Sequence, residues 1–276
     1  MIRADLHIHT YYSDGLVTPK EVVAEAKRNG VRLIAVTDHD TMLATEEVKA
    51  FAKREGVEAI SGIEVSAYEG DVKLHTLGYN VDENCPQYKA FAAELYEGSL
   101  QRAEDVLMKL NANGVSITLN DVLSERKYKN SPVHGMYIAR AACKKGYAKA
   151  PFVFYAQYLS AGKCAFSAVG RPSPERAVQV ITSCGGFASL AHPARVEMEK
   201  EELFSLLKRL KACGLGGIEA VYSAHTAFDT AYYKETAGAL SLEVTGGSDT
   251  HYFGGRRKIG SPEFFIGKAL ADKLSL

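Results

Sequence analysis

Short apolar runs rich in β-branched residues alternate with segments whose apolar positions recur at helical spacing through the first eighty residues. The runs at 4–9, 33–37, 58–65 and 72–79 read as strands. Between them a helix is announced by Thr18 as N-cap, Pro19 at the first helical position and Glu21 completing a capping box, and it stops at Gly30. A second helix is expected over 45–54, ending near Gly56. This is a strand–helix–strand rhythm.

The rhythm breaks after Tyr79. From 84 to 168 the pattern is helical, with spaced apolar positions at Phe91, Leu95, Leu100, Val106, Leu107 and Leu110, a short helix capped by Asn120, and further helices at 136–145 and 152–159. It resumes at Ser173-Pro174, whose helix runs to Gly185 and feeds a strand at 187–191, a helix at 201–212 and strands at 217–221 and 243–246. About seven strands with intervening helices predict an α/β barrel of parallel strands. The expected division is a barrel domain formed by 1–83 and 169–276, interrupted by a helical insertion domain at 84–168. In such barrels ligands sit at the carboxyl ends of the strands.

Charge changes this picture only by exclusion. Lys plus Arg and Asp plus Glu are equal at 33 each, so no global field recruits long nucleic acid or an anionic membrane surface. No apolar run reaches the length of a membrane span, and the start MIRADLHIHT carries no apolar leader, so a cytoplasmic protein is expected. Five cysteines, Cys85, Cys143, Cys164, Cys184 and Cys213, are widely spaced without a C-x-x-C pair and read as reduced packing residues.

The chemistry lies where the strands end. His7 and His9 close the first strand, and an i, i+2 pair points to one face. Asp249 and His251 repeat that spacing after the last strand. His39 follows the second strand, Glu64 lies in the third, His75 in the fourth, His192 after the fifth, and Asp14 in the loop after the first. Six of the eight histidines thus fall at strand ends, a pattern that packing does not explain. Imidazole with carboxylate suits Zn, Mn or Fe. Nine candidates exceed the roughly three protein ligands of a single catalytic zinc. They suit two or three divalent ions, with Glu64 bridging and a shared hydroxide as nucleophile, the arrangement of in-line phosphoryl displacement.

The segments HIHTYYSDG (7–15), TDHD (37–40), GIEV (62–65), His75, LAHP (190–193) and GSDTH (247–251) resemble, in order, those of the PHP (polymerase and histidinol phosphatase) family. The helical insertion is similar to that of its TrpH-like branch of phosphoesterases. The resemblance implies a distorted (β/α)7 TIM-like barrel and a trinuclear site. It would give His7, His9, Glu64 and Asp249 one ion, Glu64, His75 and His192 a second, and Asp14, His39 and His251 a third. In relatives of this branch a histidine of the insertion lies near the substrate; here Tyr137 takes its place, with His134 three residues earlier as a possible substitute.

Hydrolysis of a small phosphorylated substrate, foremost a nucleotide such as a 3′,5′-bisphosphate, is the expected activity. Asp14, His39 and His251 are candidates to assist the leaving alkoxide. Arg195 and Arg171 are candidates for phosphate, since a guanidinium binds it in a bidentate way. The pair Arg256-Arg257 is a further lead, and Tyr137 or Tyr222 could stack a base. Alternatives are a phosphodiesterase acting on a small cyclic phosphate, a 5′ exonuclease acting on short RNA, and a non-catalytic metal-binding module.

Overall fold

The computed structural model describes residues 1–276. The first half follows the alternating pattern: β1 (Ile2–Ile8), α1 (Pro19–Arg28), β2 (Leu33–Val36), α2 (Thr45–Glu55), β3 (Glu58–Ile60), β4 (Gly62–Glu69) and β5 (Val72–Tyr79). The capping box at α1 forms as expected, the Thr18 side chain accepting from Glu21 N–H while the Glu21 carboxylate accepts from Thr18 N–H. Such a cap contributes about 1 kcal/mol. Gly56 closes α2 in the left-handed conformation.

The helical stretch comprises α3 (Pro86–Ala112), α4 (Leu119–Leu123), α5 (Gly135–Lys144) and α6 (Pro151–Phe154), the last continuing as a π-helical turn over Tyr155–Leu159. Thr118, not Asn120, caps α4. The first turns of α3 bury Tyr88, Phe91 and Leu95 in the main core, whereas Val106, Leu107 and Leu110 enter a separate core with Tyr137, Ile138 and Phe154. Then come α7 (Pro174–Ser183), β6 (Phe187–Leu190), α8 (Lys200–Ala212), β7 (Leu215–Tyr222), α9 (Ala227–Ala239), β8 (Glu243–Gly247), β9 (Phe264–Ile266) and α10 (Lys268–Lys273).

The expected closed seven-stranded barrel does not form. Nine strands divide into a four-stranded sheet, ordered β3-β2-β1-β9, and a five-stranded sheet, ordered β4-β5-β6-β7-β8. Single bridges, Ile8 with Thr250 and His39 with Glu64, cross between them. The pairing is mixed, because β9 runs antiparallel beside β1, and β5 runs antiparallel to both its neighbours, β4 and β6. The run read as one strand at 58–65 breaks at Ser61, whose hydroxyl donates to the Val81 carbonyl at 2.9 Å. Next to it Gly62 packs so tightly on Val36 that a Cβ would lie 2.5 Å from that carbonyl oxygen. The residues before the break therefore pair in one sheet and those after it in the other.

The cysteines also depart from expectation. Cys85 and Cys184 form a disulfide with their Cα atoms 5.6 Å apart, tying the start of α3 to the end of α7, while Cys143, Cys164 and Cys213 are free. The two had looked unrelated because 99 residues separate them. No helix is long and apolar enough to cross a membrane.

A second close approach fixes α3 against the segment leading to α7. A Cβ on Gly98 would stand 2.4 Å from the Gly170 carbonyl oxygen, and Gly170 itself has φ +66°. Because backbone cannot swing aside as a side chain can, Gly98→Ala should destabilise the protein by about 3 kcal/mol. A thermal melt should show the midpoint falling by roughly 6–12 °C, and an unaltered midpoint would contradict this packing.

Candidate metal centre

Glu64 is the hub of the site. Its side chain is about 1% exposed, and its two oxygens face five imidazoles: His75 at 2.7 Å, His39 at 2.9 Å, His192 at 3.1 Å, His9 at 3.2 Å and His7 at 3.3 Å. Asp249 lies 3.2 Å from His9 and 3.3 Å from His251, and His251 in turn lies 3.3 Å from Asp14. The nine residues expected from the sequence are therefore brought into one continuous cluster. They arrive from both sheets, His7 and His9 from the end of β1, Glu64 and His75 from the same face of the paired β4 and β5, and the others from loops that follow β1, β2, β6 and β8.

Several of these loops adopt backbone conformations that side chains resist. Asp40, His192 and Asp249 have φ of 58°, 27° and 54°. Such strain persists only where neighbours hold it. The Asp40 N–H donates to the Glu64 carbonyl at 2.9 Å and the Asp249 N–H to the His7 carbonyl at 2.7 Å. The His192 N–H donates to Glu219 Oε2 at 2.8 Å.

Glu219, which the sequence reading missed, performs a double task. Its other oxygen lies 2.9 Å from His7 Nδ1 and receives that N–H, leaving Nε2 of His7 to face Glu64 and Asp249. This is how a carboxylate fixes the tautomer of a metal-binding imidazole. The available signal was a lone charge inside the apolar run GGIEAVY. Asp38 was missed too; it accepts from Thr10 N–H and Oγ1 at 2.7 and 2.6 Å and from Ser13 Oγ at 2.5 Å, shaping the loop that carries Asp14. Arg140 donates to the Asp14 carbonyl at 2.6 Å.

The charges respond to this crowding. Burial alone would raise the Asp14 and Glu64 carboxyls, but the surrounding imidazoles outweigh it and hold both well below the carboxylate range, and Asp249 likewise. Burial alone would depress His9, yet the Asp249 and Glu64 carboxylates, each 3.2 Å away, lift it to about 10. His7 is raised as well, against the same burial, chiefly by Glu219 and Glu64. His75 is driven down by burial.

The donor set fits divalent metal. Asp14 Oδ1, Glu64 Oε2, His9 Nδ1, His39 Nδ1 and His192 Nδ1 are buried without a hydrogen-bond partner. Ligand-type atoms of His9, Asp14, His39 and His251, of His7, His9 and Asp249, of His7, Glu64 and His192, and of His39, Glu64 and His75 gather within 4.8 Å of one another in each group. A metal ligand must give up its proton, so metal uptake should release about one proton or more per chain at pH 7.5. The sign follows from His9: raised from 6.5 to about 10, it favours the folded metal-free state fully below pH 6.5, an advantage lost as pH climbs through 10. Calorimetric titration in buffers of different ionisation enthalpy measures the release, and none would contradict the protonated cluster.

A cavity of about 780 Å³ opens over the cluster, lined among others by Asp14, His39, His75, His134, Arg171 and Arg195. His134 is buried, and its Nε2 has no hydrogen-bond partner. Burial depresses its pKa to about 3. Tyr137 is not among the lining residues; its ring is buried and its hydroxyl donates to the Ser13 carbonyl. Tyr222, too, is 2% exposed and gives its hydroxyl to Asp249 at 2.8 Å, which leaves no open ring face for a base. Arg195 is half exposed and donates to the Tyr222 oxygen at 3.1 Å, and Arg257 reaches Asp249 itself. Arg171 is paired with Asp40. His225, the remaining histidine, lies apart and hydrogen-bonds the Ala220 carbonyl.

Comparison with known proteins agrees with this arrangement. The chain is 32% identical over 250 residues to phosphoribosyl 1,2-cyclic phosphate 1,2-diphosphodiesterase of Eggerthella lenta, covering 90% of this chain and 93% of that protein. It is 31% identical to 3′,5′-nucleoside bisphosphate phosphatase of Chromobacterium violaceum, covering 95% and 92%. To a 5′-3′ exoribonuclease of Haemophilus influenzae it is 29% identical, covering 90% and 89%. The PHP domain matches residues 5–147. With that match and those relatives, the chain belongs to the PHP-domain family of metal-dependent phosphoesterases.

Proposed function

We propose that this chain hydrolyses a phosphoester on a small ribose-based substrate that carries two phosphate groups, foremost a nucleoside 3′,5′-bisphosphate. The observation that carries the reading is the Glu64-centred cluster of histidines and carboxylates at the floor of a cavity large enough for a nucleotide. The substrates named for two relatives, a nucleoside bisphosphate and a phosphoribosyl cyclic phosphate, both carry two phosphates on ribose.

His7, His9, Glu64 and Asp249, with His75, His192, Asp14, His39 and His251, would hold two or three divalent ions, Mn, Fe or Zn by the nature of the donors. Bound metal would activate water at neutral pH and offset charge on the phosphoryl oxygens. The protein's own groups do the rest. Arg195 orients the phosphoryl group from the rim. Asp14 and His251, 3.3 Å apart, and His39 beyond them stand where a proton can be passed to the leaving oxygen. His134, held neutral and facing the cavity, takes the substrate contact that the sequence assigned jointly to it and Tyr137. The helices from 84 to 168 act as a separate insertion domain that supplies one wall.

Phosphate release from a panel tests the reading: a 3′,5′-bisphosphonucleotide, a nucleoside monophosphate, a ribose cyclic phosphate and a short 5′-phosphorylated RNA. Fastest turnover of the bisphosphonucleotide is expected, and preference for RNA would replace the reading with that of an exonuclease. Arg195→Ala should raise KM for that substrate about tenfold with a smaller change in kcat, and an unchanged KM would remove Arg195 from the phosphate site.

A further inference from the structure

Past the cluster, β4 and β5 run on together toward their hairpin turn. Ser66 pairs with His75 and Tyr68 with Lys73. Alternation puts Lys73 on the same face as His75, two residues and roughly 7 Å further along the strand. That is about the span of a ribose with a phosphate at each end. Lys73 is exposed at the residue level and lines the same cavity as His75.

Arg171 lines the same cavity as Lys73 and belongs to a group of cations with too few anions. The Arg171 side chain is 9% exposed and paired with Asp40, yet its Nε is buried without a partner. Behind it Arg102, 8% exposed, donates from Nη1 to the Gly98 and Val169 carbonyls at 3.4 and 3.0 Å, while its Nη2 is also unpartnered. Two buried guanidiniums thus share one carboxylate, Asp40, and the Lys73 ammonium lines the same cavity as Arg171. The burial and the mutual repulsion of the two guanidiniums lower the Arg102 pKa to about 9. Tyr68 and Tyr155 close the region around them. Buried positive charge in excess is relieved by an anion, and guanidinium N–H groups left without acceptors supply the hydrogen bonds to hold one.

We propose that Lys73 and Arg171 form a second anion subsite that takes the phosphate which is not hydrolysed, with Arg102 supporting Arg171 from behind. The proposal rests on the bisphosphate reading above and gives Arg171, a phosphate candidate from the sequence, to the phosphate that is not hydrolysed, together with Lys73, which no motif of the sequence picks out. The close packing of Gly98 on Gly170 sets the position of Arg171, the next residue along the chain.

Two arms test the subsite and separate its failure from that of the proposed activity. In the first, chelator-treated protein is titrated calorimetrically with adenosine 3′,5′-bisphosphate and with adenosine 3′- and 5′-monophosphates. Wild type should prefer the bisphosphate, and Lys73→Ala and Arg171→Lys should each lower that preference by about thirtyfold, the loss of one hydrogen bond to a charged group. An unaltered preference in both variants, or equal weakening of all three ligands, would overturn the subsite. In the second arm, metal-loaded protein is assayed with p-nitrophenyl phosphate and with the bisphosphate, and KM for the bisphosphate should rise in both variants. Turnover of both substrates without any rise overturns the subsite alone; a binding preference lost in the variants, with no turnover of either substrate by wild type, overturns the activity alone.

Discussion

Glu64→Gln should lower turnover by about three orders of magnitude and reduce the metal bound per chain, because one charge is removed from the point where five imidazoles converge. Glutamine keeps the volume of the side chain, so the β4–β5 pairing on either side of it should survive. What it cannot keep is the carboxylate that holds His7, His9, His39, His75 and His192 together. Without that charge His7 and His9 lose part of the pull that raises their pKa, and the metal-free variant should bind fewer protons at pH 7.5. Metal analysis beside a kinetic assay checks this. Full metal content with unaltered turnover would mean that Glu64 is only a structural carboxylate.

Asp14→Ala is expected to cost a similar factor by a different route. Asp14 Oδ1 is buried without a partner and lies 3.3 Å from His251, while the loop that carries it is held by Asp38, Thr10, Ser13 and Arg140 rather than by the Asp14 carboxylate. Removing the carboxylate should therefore leave the loop and the melting temperature nearly in place. Turnover should fall by about three orders of magnitude. A variant that melts much earlier would instead show that Asp14 stabilises the loop, and one with full activity would remove it from the site.

The residues that make this cluster were legible because chemistry concentrates rare side chains. Six histidines at strand ends, with i, i+2 spacing at both ends of the chain, have no packing explanation, and the structure brings them together with Glu64, Asp14 and Asp249. The strands themselves were largely legible from their apolar runs, yet their partners were less so. The short link Gly70-Asp71 leaves β4 and β5 no choice but to pair antiparallel, a signal the parallel barrel overlooked, whereas nothing in the sequence says that Ser61 divides one apolar run between two sheets. Hence a closed parallel barrel was expected where two mixed sheets stand. The short β9 and the helices α9 and α10 were overlooked, α9 because its apolar positions barely form a face.

The supporting residues were hidden for a different reason. Glu219 and Asp38 matter through what they touch across the sequence, 212 residues away in the case of Glu219 and His7 and 28 in the case of Asp38 and Thr10. A single charged residue in a strand or loop carries no such information by itself. Tyr137 shows the converse, a residue singled out by its position in a motif whose hydroxyl the fold spends on the Ser13 carbonyl.

The central claim, that phosphoester hydrolysis depends on metal held by this cluster, is tested most directly by stripping the protein with chelator and restoring Mn²⁺ in steps, with bound metal and phosphate release measured on the same samples. Phosphate release should be absent from the stripped protein, should rise in step with metal bound, and should stay absent in Glu64→Gln at the same metal concentration. Undiminished release from fully stripped protein, or full metal occupancy with no hydrolysis of any phosphoester offered, would contradict it.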